Sequence, residues 1–332
     1  MPHPKENVYV IRTPERFMAK VNDLKNENIR DVRACFYRGG PWTKNELSTE
    51  TGLSLAGTTN VLKYLLETGE ILLNGKSGSG IGRKSKQYVL NPDHAHIGIL
   101  IVRYNRKCNE LIASSSDLFG KTVFKEILQD RECGCGFVKK TIASMLEKDP
   151  LIQILCVSIP GVCEKGVLRT CDVEALENED LGSRIREEFR LPYVIENDVN
   201  SACIGFAHVY PDRKNMAVIF QPEAELSGCG IIIGGELYNG ACHMAGEIKY
   251  AGIKGVKNPL KLLKRQIETL CAVLNPEIIG WYSEQIREET IGPDSLDLPE
   301  ALRCPLERIT DFFGMIEKGL YSIGIRNLTG KN

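Results

Sequence analysis

The chain has 332 residues, of which 42% are hydrophobic, and its formal net charge is −1. This length predicts two or three domains with full hydrophobic cores, and the balanced charge excludes a protein that is polybasic throughout. The sequence lacks any run of about 18 apolar residues. Its first residues also lack the apolar core of a signal peptide, so the sequence predicts a cytoplasmic protein without a membrane partner.

The first part of the chain begins with helical patterning. Between residues 14 and 38, apolar side chains recur at helical intervals at Phe17, Met18, Val21, Leu24, Ile29, Val32 and Phe36. This spacing predicts a lead helix followed by the first helix of a compact unit.

Two short capped helices are predicted next. Thr43 and Glu46 have the spacing of a capping box, in which each side chain binds the other residue's backbone amide. Gly52 allows a sharp turn, and Ser54 is the N-cap candidate of the second helix. An apolar stripe marks the buried face of that helix at Leu55, Thr58, Val61, Leu62, Leu65 and Leu66, and Gly69 follows its end.

A flexible basic segment, residues 75–84, separates two predicted strands at 70–73 and 87–90. Capped helix, glycine turn, second helix and basic hairpin together predict a winged helix-turn-helix, which reads DNA with its second helix and meets phosphates with its wing. A winged helix used for protein contacts is the alternative. The predicted DNA-binding residues are Thr43, Ser54, Thr58, Thr59, Asn60, Lys63, Arg83 and Lys84.

The charge distribution supports a division of the chain near residue 92. Residues 1–95 contain 14 Lys and Arg against 10 Asp and Glu, which leaves 28 against 33 in the remainder. A slightly basic head on an acidic body suits a DNA-binding module joined to a ligand-sensing or oligomerising one. Because Pro92 cannot continue a strand ladder, we place the DNA-binding domain at 1–92 and the body at 93–332.

The body alternates predicted strands and helices. Strands are predicted at 96–102, 110–114, 151–159, 193–196, 216–221 and 228–233. Helices are predicted at 137–146, 181–189, 200–209, 259–274 and 309–321. This alternation indicates an α/β fold with mostly parallel sheets.

Several segments of the body, in this order, resemble the ROK family of sugar kinases and sugar-responsive repressors. They are residues 157–162 (VSIPGV), 191–202 (LPYVIENDVNSA), 230–241 (GIIIGGELYNGA), 245–248 (AGEI) and 274–279 (LNPEII). With the predicted winged head, the chain is most similar to the transcriptional-regulator branch, which includes xylose and N-acetylglucosamine repressors.

The resemblance implies a two-lobed actin-like fold of the ribonuclease H-like ATPase type, with a sugar between the lobes and the second lobe starting at about residue 212. It implies a ligand site formed by Asn197, Asp198 and Glu247. We add Tyr250 to this site, because its ring could stack on the face of a sugar, and the alternative is that it packs in the core. In kinases of the family, the position of Asp198 is the general base. The alternative role for Asp198 is a helix N-cap.

Four departures from the family pattern predict a body without kinase activity. Residues 97–105 lack the Asp-x-Gly-x-Thr of the first phosphate loop, and 221–228 (QPEAELSG) replace a Gly-Thr-Gly, with Glu223 and Glu225 set to repel phosphates. Lys249 and Tyr250 replace a Gly-His pair, and the Cys-rich zinc cluster is missing after them. We therefore expect no catalytic residues, no metal and no cofactor. Lys249 is either solvated or favours an anionic ligand.

The twelve cysteines do not have the spacing of a disulfide framework. Cys133 and Cys135 are interpreted as two thiols in a turn, with half of a metal or redox site as the alternative. The prediction is a ROK-type DNA-binding regulator of carbohydrate-related genes. Its expected partners are a double-stranded DNA operator, a sugar effector, and other copies of the chain in a homodimer or tetramer. The alternatives are a sugar kinase with unusual nucleotide loops, or a regulator whose body only oligomerises.

Overall fold

In this computed structural model, residues 19–77, 85–223, 226–253, 255–286 and 288–330 are described. The amino-terminal part consists of α1 (Ala19–Tyr37), β1 (Trp42–Thr43), α2 (Lys44–Thr51), α3 (Leu55–Glu67), β2 (Ile71–Ser77) and β3 (Ser85–Leu90). The three strands form an antiparallel sheet in the order β1-β3-β2. We call residues 19–90 the head.

Local sequence explains the two short helices of the head. The capping box of Thr43 and Glu46 was predicted correctly, and the Glu46 amide donates to Thr43 Oγ1 at 3.3 Å. Gly52 has a φ of 71°, a left-handed conformation in which an L side chain would be strained. Ser54 caps α3 by accepting the Gly57 amide at 3.1 Å. The order of elements agrees with the predicted winged helix-turn-helix, whose role stays a prediction.

The first sheet of the body has five strands: β4 (His96–Arg103), β5 (Asn109–Ser116), β6 (Thr122–Asp130), β7 (Ile152–Ile159) and β10 (Tyr193–Asn197). Their order is β10-β7-β4-β5-β6. One face packs against α4 (Cys135–Lys148). The hairpin β8 (Gly161–Glu164) and β9 (Val167–Cys171) and the helix α5 (Leu181–Arg184), which continues as a π-helical turn over Ile185–Phe189, lie between β7 and β10 in the chain.

The second sheet has the same layout. It contains β11 (Met216–Gln221), β12 (Gly228–Ile233), β13 (Glu236–Leu237), β14 (Ile278–Ser283) and β15 (Leu306–Arg308), in the order β13-β12-β11-β14-β15. In each sheet, the two pairings on one side of the central strand are antiparallel and the two pairings on its other side are parallel. The prediction of mostly parallel sheets was therefore wrong, because short turns let half of the neighbouring strands pair as hairpins.

Two helices fill the space between the sheets, α6 (Asp198–Val209) and α8 (Phe312–Thr329), while α7 (Pro259–Leu274) covers the outer face of the second sheet. Glycines let α6 and α8 approach closely. A Cβ on Gly319 would lie 1.8 Å from the Ser201 carbonyl oxygen, and one on Gly205 would lie 2.0 Å from that of Met315. The two helices are therefore packed backbone to backbone.

The head packs directly on the body. Its hydrophobic core includes Val32, Leu47 and Leu65 from its own helices, together with Leu118 after β5 and the partly buried Ile325 and Leu328 near the end of α8. The apolar core thus continues across residue 92, and the domain boundaries stay predictions. Within the described ranges, no helix is long and apolar enough to cross a membrane.

Candidate functional site

The outer face of α3 is the candidate DNA-reading surface. Thr59, Asn60 and Lys63 are exposed on it, and Lys63 Nζ lies 3.7 Å from Glu67 Oε1 one turn further on. Exposed Ser54 begins the helix. Arg83 and Lys84, the predicted wing contacts, lie outside the described residues. The structure therefore brings four of the eight predicted residues to one end and face of a single helix.

Two other predicted DNA contacts are internal. Thr58 is fully buried and its hydroxyl donates to the Ser54 carbonyl at 3.0 Å, which agrees with its place in the apolar stripe and corrects its assignment as a DNA contact. Thr43 is also buried, because its hydroxyl caps α2. Conversely, Leu55 was assigned to the buried stripe but is 50% exposed. Tyr64 on the same surface was not predicted, although it lies four residues after Asn60.

A polar cleft lies where β10 meets α6, opposite the segment that follows β13. Its polar lining includes Glu196, Asn197, Asn200, Asn239, His243 and Glu247. The enclosed space measures about 60 Å³, which has room for a few water molecules. The structure thus brings Asn197 and Glu247 together in this cleft, whereas Asp198 is not among the described residues that line it, and a ligand role for the three stays a prediction.

Asn197 holds the start of α6. Its Oδ1 accepts the amides of Val199 at 2.9 Å and Asn200 at 3.1 Å, and its Nδ2 donates to the Gly161 carbonyl at 3.0 Å. The helix cap considered for Asp198 is therefore formed by Asn197 instead. Since both lone pairs of Oδ1 are engaged, the Asn197 side chain has one amide hydrogen left for a ligand.

Asp198 is the first residue of α6 and is half-buried. Burial raises the pKa of its carboxyl to about 7, against the lowering effect of the Val199 amide, and the charges of Asp172 and Glu247 raise it further. The carboxyl is therefore close to half-protonated at neutral pH. A carboxyl in this range suits proton transfer, so the chemistry of Asp198 alone does not argue against catalysis.

Glu196 and Asn200 are site residues that were not predicted. Glu196 Oε1 accepts the Asn200 side-chain amide at 3.0 Å and the Asn197 backbone amide at 2.9 Å. Burial raises the pKa of Glu196 in spite of these bonds. The signal was present in the sequence, because both residues stand within the Glu-Asn-Asp-x-Asn segment and lie four positions apart across a helix start.

Lys249 and Tyr250 lie differently from the predictions. Lys249 Nζ is 3.0 Å from Glu247 Oε2, and although burial opposes its charged form, the Glu247 carboxylate leaves its pKa raised. Lys249 is thus ion-paired rather than free for an anionic ligand. Tyr250 is 75% exposed, so the alternative that it packs in the core was wrong. Tyr250 is not among the described residues that line the cleft.

The loops at the predicted nucleotide position are bridged by ion pairs. Arg106, in the turn between β4 and β5, pairs with Glu223 after β11, and Arg103 Nη2 lies 3.6 Å from Glu284 Oε1 after β14. Glu223 therefore forms an ion pair with Arg106, which lies between two strands of the first sheet. This pairing weakens the repulsion of phosphates that the sequence predicted for Glu223. Glu225 lies outside the described residues.

The cysteines of the described segments form no evident metal site. No group of three or more His, Cys, Asp or Glu side chains in those segments is placed to hold a metal ion. Cys133 is buried in the core beneath β5 and α4, and burial raises the pKa of its thiol to about 12. Cys133 is therefore an inert core thiol.

Part of the body matches the model of a known family. The model of the ROK family matches residues 126–255. The chain is 24% identical over 222 residues to the Xylose repressor of Caldicellulosiruptor bescii, covering 64% of this chain and 55% of that protein. It is 22% identical over 241 residues to the Xylose repressor of Bacillus subtilis, covering 69% and 61%. The chain thus spans less than two thirds of the length of these relatives.

Solved structures share the fold. A ROK family transcriptional regulator, a homolog of the E. coli MLC protein, superimposes with a TM-score of 0.65 at 16% identity, over 92% of this chain and 97% of that one. A ROK family glucokinase from Streptomyces griseus, solved with glucose and AMPPNP, has a TM-score of 0.52 at 13% identity, over 68% and 98%. Residues 126–255 are therefore a ROK family domain, within a chain whose fold is shared by ROK regulators and kinases.

Proposed function

We propose that this protein is a DNA-binding transcriptional regulator whose body binds a small neutral sugar and carries out no phosphotransfer. The observation that carries the proposal is the exposed polar face of α3, which follows a capped helix and a left-handed glycine turn. A helix of this kind enters the major groove, where Asn reads adenine and Lys reads guanine or contacts phosphate. The repressor names of the relatives support the same function.

The cleft supports a sugar as the effector. Carboxylates accept hydrogen bonds from hydroxyl groups, and side-chain amides both donate to them and accept from them. Hydrogen bonds to a charged group are stronger than those between neutral groups. Because Lys249 is paired with Glu247, the cleft favours a neutral sugar over a sugar phosphate or acid. The present space is small for a monosaccharide, so we expect the cleft to widen when the ligand enters.

A sugar kinase is the second candidate, favoured by the near-neutral pKa of Asp198. Two features weigh against it. Pro222 has no amide to donate to a phosphate, and the Arg103 and Arg106 ion pairs tie together the loops between which phosphates would lie. With ATP, magnesium and a panel of hexoses and pentoses, we expect no turnover. Turnover that Asp198→Asn abolishes would favour the kinase.

DNA binding is tested by selecting bound duplexes from a random library and measuring affinity by fluorescence anisotropy over a range of salt concentrations. Asn60→Ala is expected to cost about 1–3 kcal/mol and to relax the sequence preference at one position. Lys63→Ala should weaken binding to all sequences and lower the salt slope by about one. Arg83→Ala with Lys84→Ala, on the predicted wing, should lower the slope by about two.

Lys318→Ala is the matched control, because Lys318 is an exposed helical lysine of the body. It should leave affinity and salt slope unchanged. If the variants of Asn60 and Lys63 bind as the wild type does, α3 is not the reading helix. The same assay with D-xylose and other neutral sugars tests the effector, which should alter affinity for the selected duplex only if it distinguishes two states of the protein.

A further inference from the structure

We propose that His243 is the ligand-recognising residue of the cleft, and that its imidazole binds a hydroxyl group of a neutral sugar. This inference rests on the sugar-binding half of the proposed function. His243 precedes Glu247 in the chain. The histidine of the family pattern follows Glu247, at the position that Tyr250 occupies in this chain.

A short closed loop carries His243 into the cleft. The Ala245 amide donates to the Asn239 carbonyl at 3.1 Å and so joins the ends of the loop 239–245. The Cys229 amide of β12 donates to the Gly246 carbonyl at 2.9 Å, and a Cβ on Gly246 would lie 1.7 Å from the Cys229 carbonyl oxygen. The loop is thus fixed against β12, and it places His243 in the cleft with Glu196 and Asn200.

The backbone of His243 is in a conformation that a side chain disfavours. Its φ is 56°, in the left-handed region where glycine carries no penalty and other residues do. Strained residues of this kind are maintained where the side chain has a functional role. A glycine would satisfy the turn, so the imidazole is the feature that needs an explanation.

The imidazole also has unused hydrogen-bonding capacity. Within the described part of the chain, no protein group hydrogen-bonds the His243 ring, although the ring lines the same cleft as Glu196. Other polar groups of the cleft are largely engaged, as Asn197 caps α6, Asn200 binds Glu196, and Glu247 pairs with Lys249. A neutral imidazole has one donor and one acceptor, which matches one sugar hydroxyl.

The test compares three full-length variants. His243→Gly removes the ring and relieves the left-handed backbone, so it should melt at the same or a higher temperature than the wild type. His243→Gln keeps a donor and an acceptor. Asn275→Gly is the matched control, because Asn275 has a φ of 45° at the end of α7, outside the cleft. Thermal shift and calorimetry are run with D-xylose, D-glucose and N-acetyl-D-glucosamine.

We expect the sugar that stabilises the wild type to bind His243→Gly about ten-fold or more weakly, since its hydroxyl loses a partner. His243→Gln should recover part of that loss, and Asn275→Gly should bind as the wild type does. NMR spectra of protein labelled in its histidine rings contain signals from five side chains. The signal that is missing from the spectrum of His243→Gly should shift when the sugar is added to the wild type.

A stably folded His243→Gly with wild-type sugar affinity, or a His243 signal that does not shift, overturns the proposal and leaves sugar sensing intact. If none of these sugars stabilises the wild type, sugar sensing and the role of His243 fail together, while DNA binding by α3 stands.

Discussion

At the start of α6, two adjacent residues have separate tasks. Asn197 caps the helix and ties it to the hairpin through Gly161, while Asp198 holds a carboxyl whose pKa lies at about 7. Asp172 and Glu247 add negative charge around Asp198. The Asp198 carboxyl therefore changes its charge within the neutral pH range, and the stability of the folded protein should change with it.

The protonation of Asp198 gives a prediction for stability against pH. Because the folded-state pKa is raised from 3.8 to about 7, the folded protein binds this proton more tightly than the unfolded chain does. This contribution is fully present below the unfolded value and is lost as pH rises from about 4 to about 7. Asp198→Asn cannot ionise and keeps the acceptor for the Val199 amide, so it should be more stable than the wild type at pH 8 and close to it at pH 4.

We expect a gain at pH 8 of about 1–2 kcal/mol, less than the full pKa shift implies because the carboxyl is only half-buried. Urea unfolding at the two pH values measures it. Asp212→Asn, in an exposed turn before β11, is the control and should give the same difference from the wild type at both pH values. An Asp198→Asn effect that does not vary with pH would mean that the carboxyl ionises as it does in the unfolded chain.

At the scale of elements, the contact between α6 and α8 links the cleft to the head. α6 begins at the cleft and packs along α8, where Gly205 and Gly319 allow the close approach. Near the end of α8, Ile325 and Leu328 pack against the core of the head. Because packed helices have few alternative arrangements, a shift of α6 would have to move α8 or break their contact. This pair thus forms a continuous packed contact between the start of α6 at the cleft and the core of the head.

Gly319→Ala tests that contact. The added Cβ would overlap the Ser201 carbonyl oxygen, and since this neighbour is backbone, the helices must separate. We expect a loss of about 1–3 kcal/mol or more in the free energy of unfolding, measured with urea. Gly136→Ala, on α4 with open space around it, is the control and should be neutral or slightly stabilising. Equal effects of the two substitutions would show that α6 and α8 are not closely packed.

At the scale of the whole molecule, the head and body together predict an assembly of at least two chains. One helix-turn-helix unit reads one half-site, and specific binding generally uses two half-sites one helical turn apart. Light scattering at micromolar concentration should therefore give the mass of a dimer or tetramer, and the selected duplexes should contain inverted repeats. A monomeric mass together with a single unrepeated site would contradict this prediction.

The sequence by itself determined the features that depend on neighbouring residues. The capping box at Thr43, the left-handed turn at Gly52 and the Ser54 cap each follow from local side-chain chemistry, and α7, β11 and β12 have their predicted bounds. The tertiary structure decided what depends on distant partners. The edge strand β6 was missed because apolar and charged residues occur among both its exposed and its partly buried positions, so its sequence does not alternate cleanly. The antiparallel half of each sheet depends on pairing rather than periodicity. Glu223 pairs with Arg106, and His243 lines the cleft, because chain segments far apart in sequence meet at these two places.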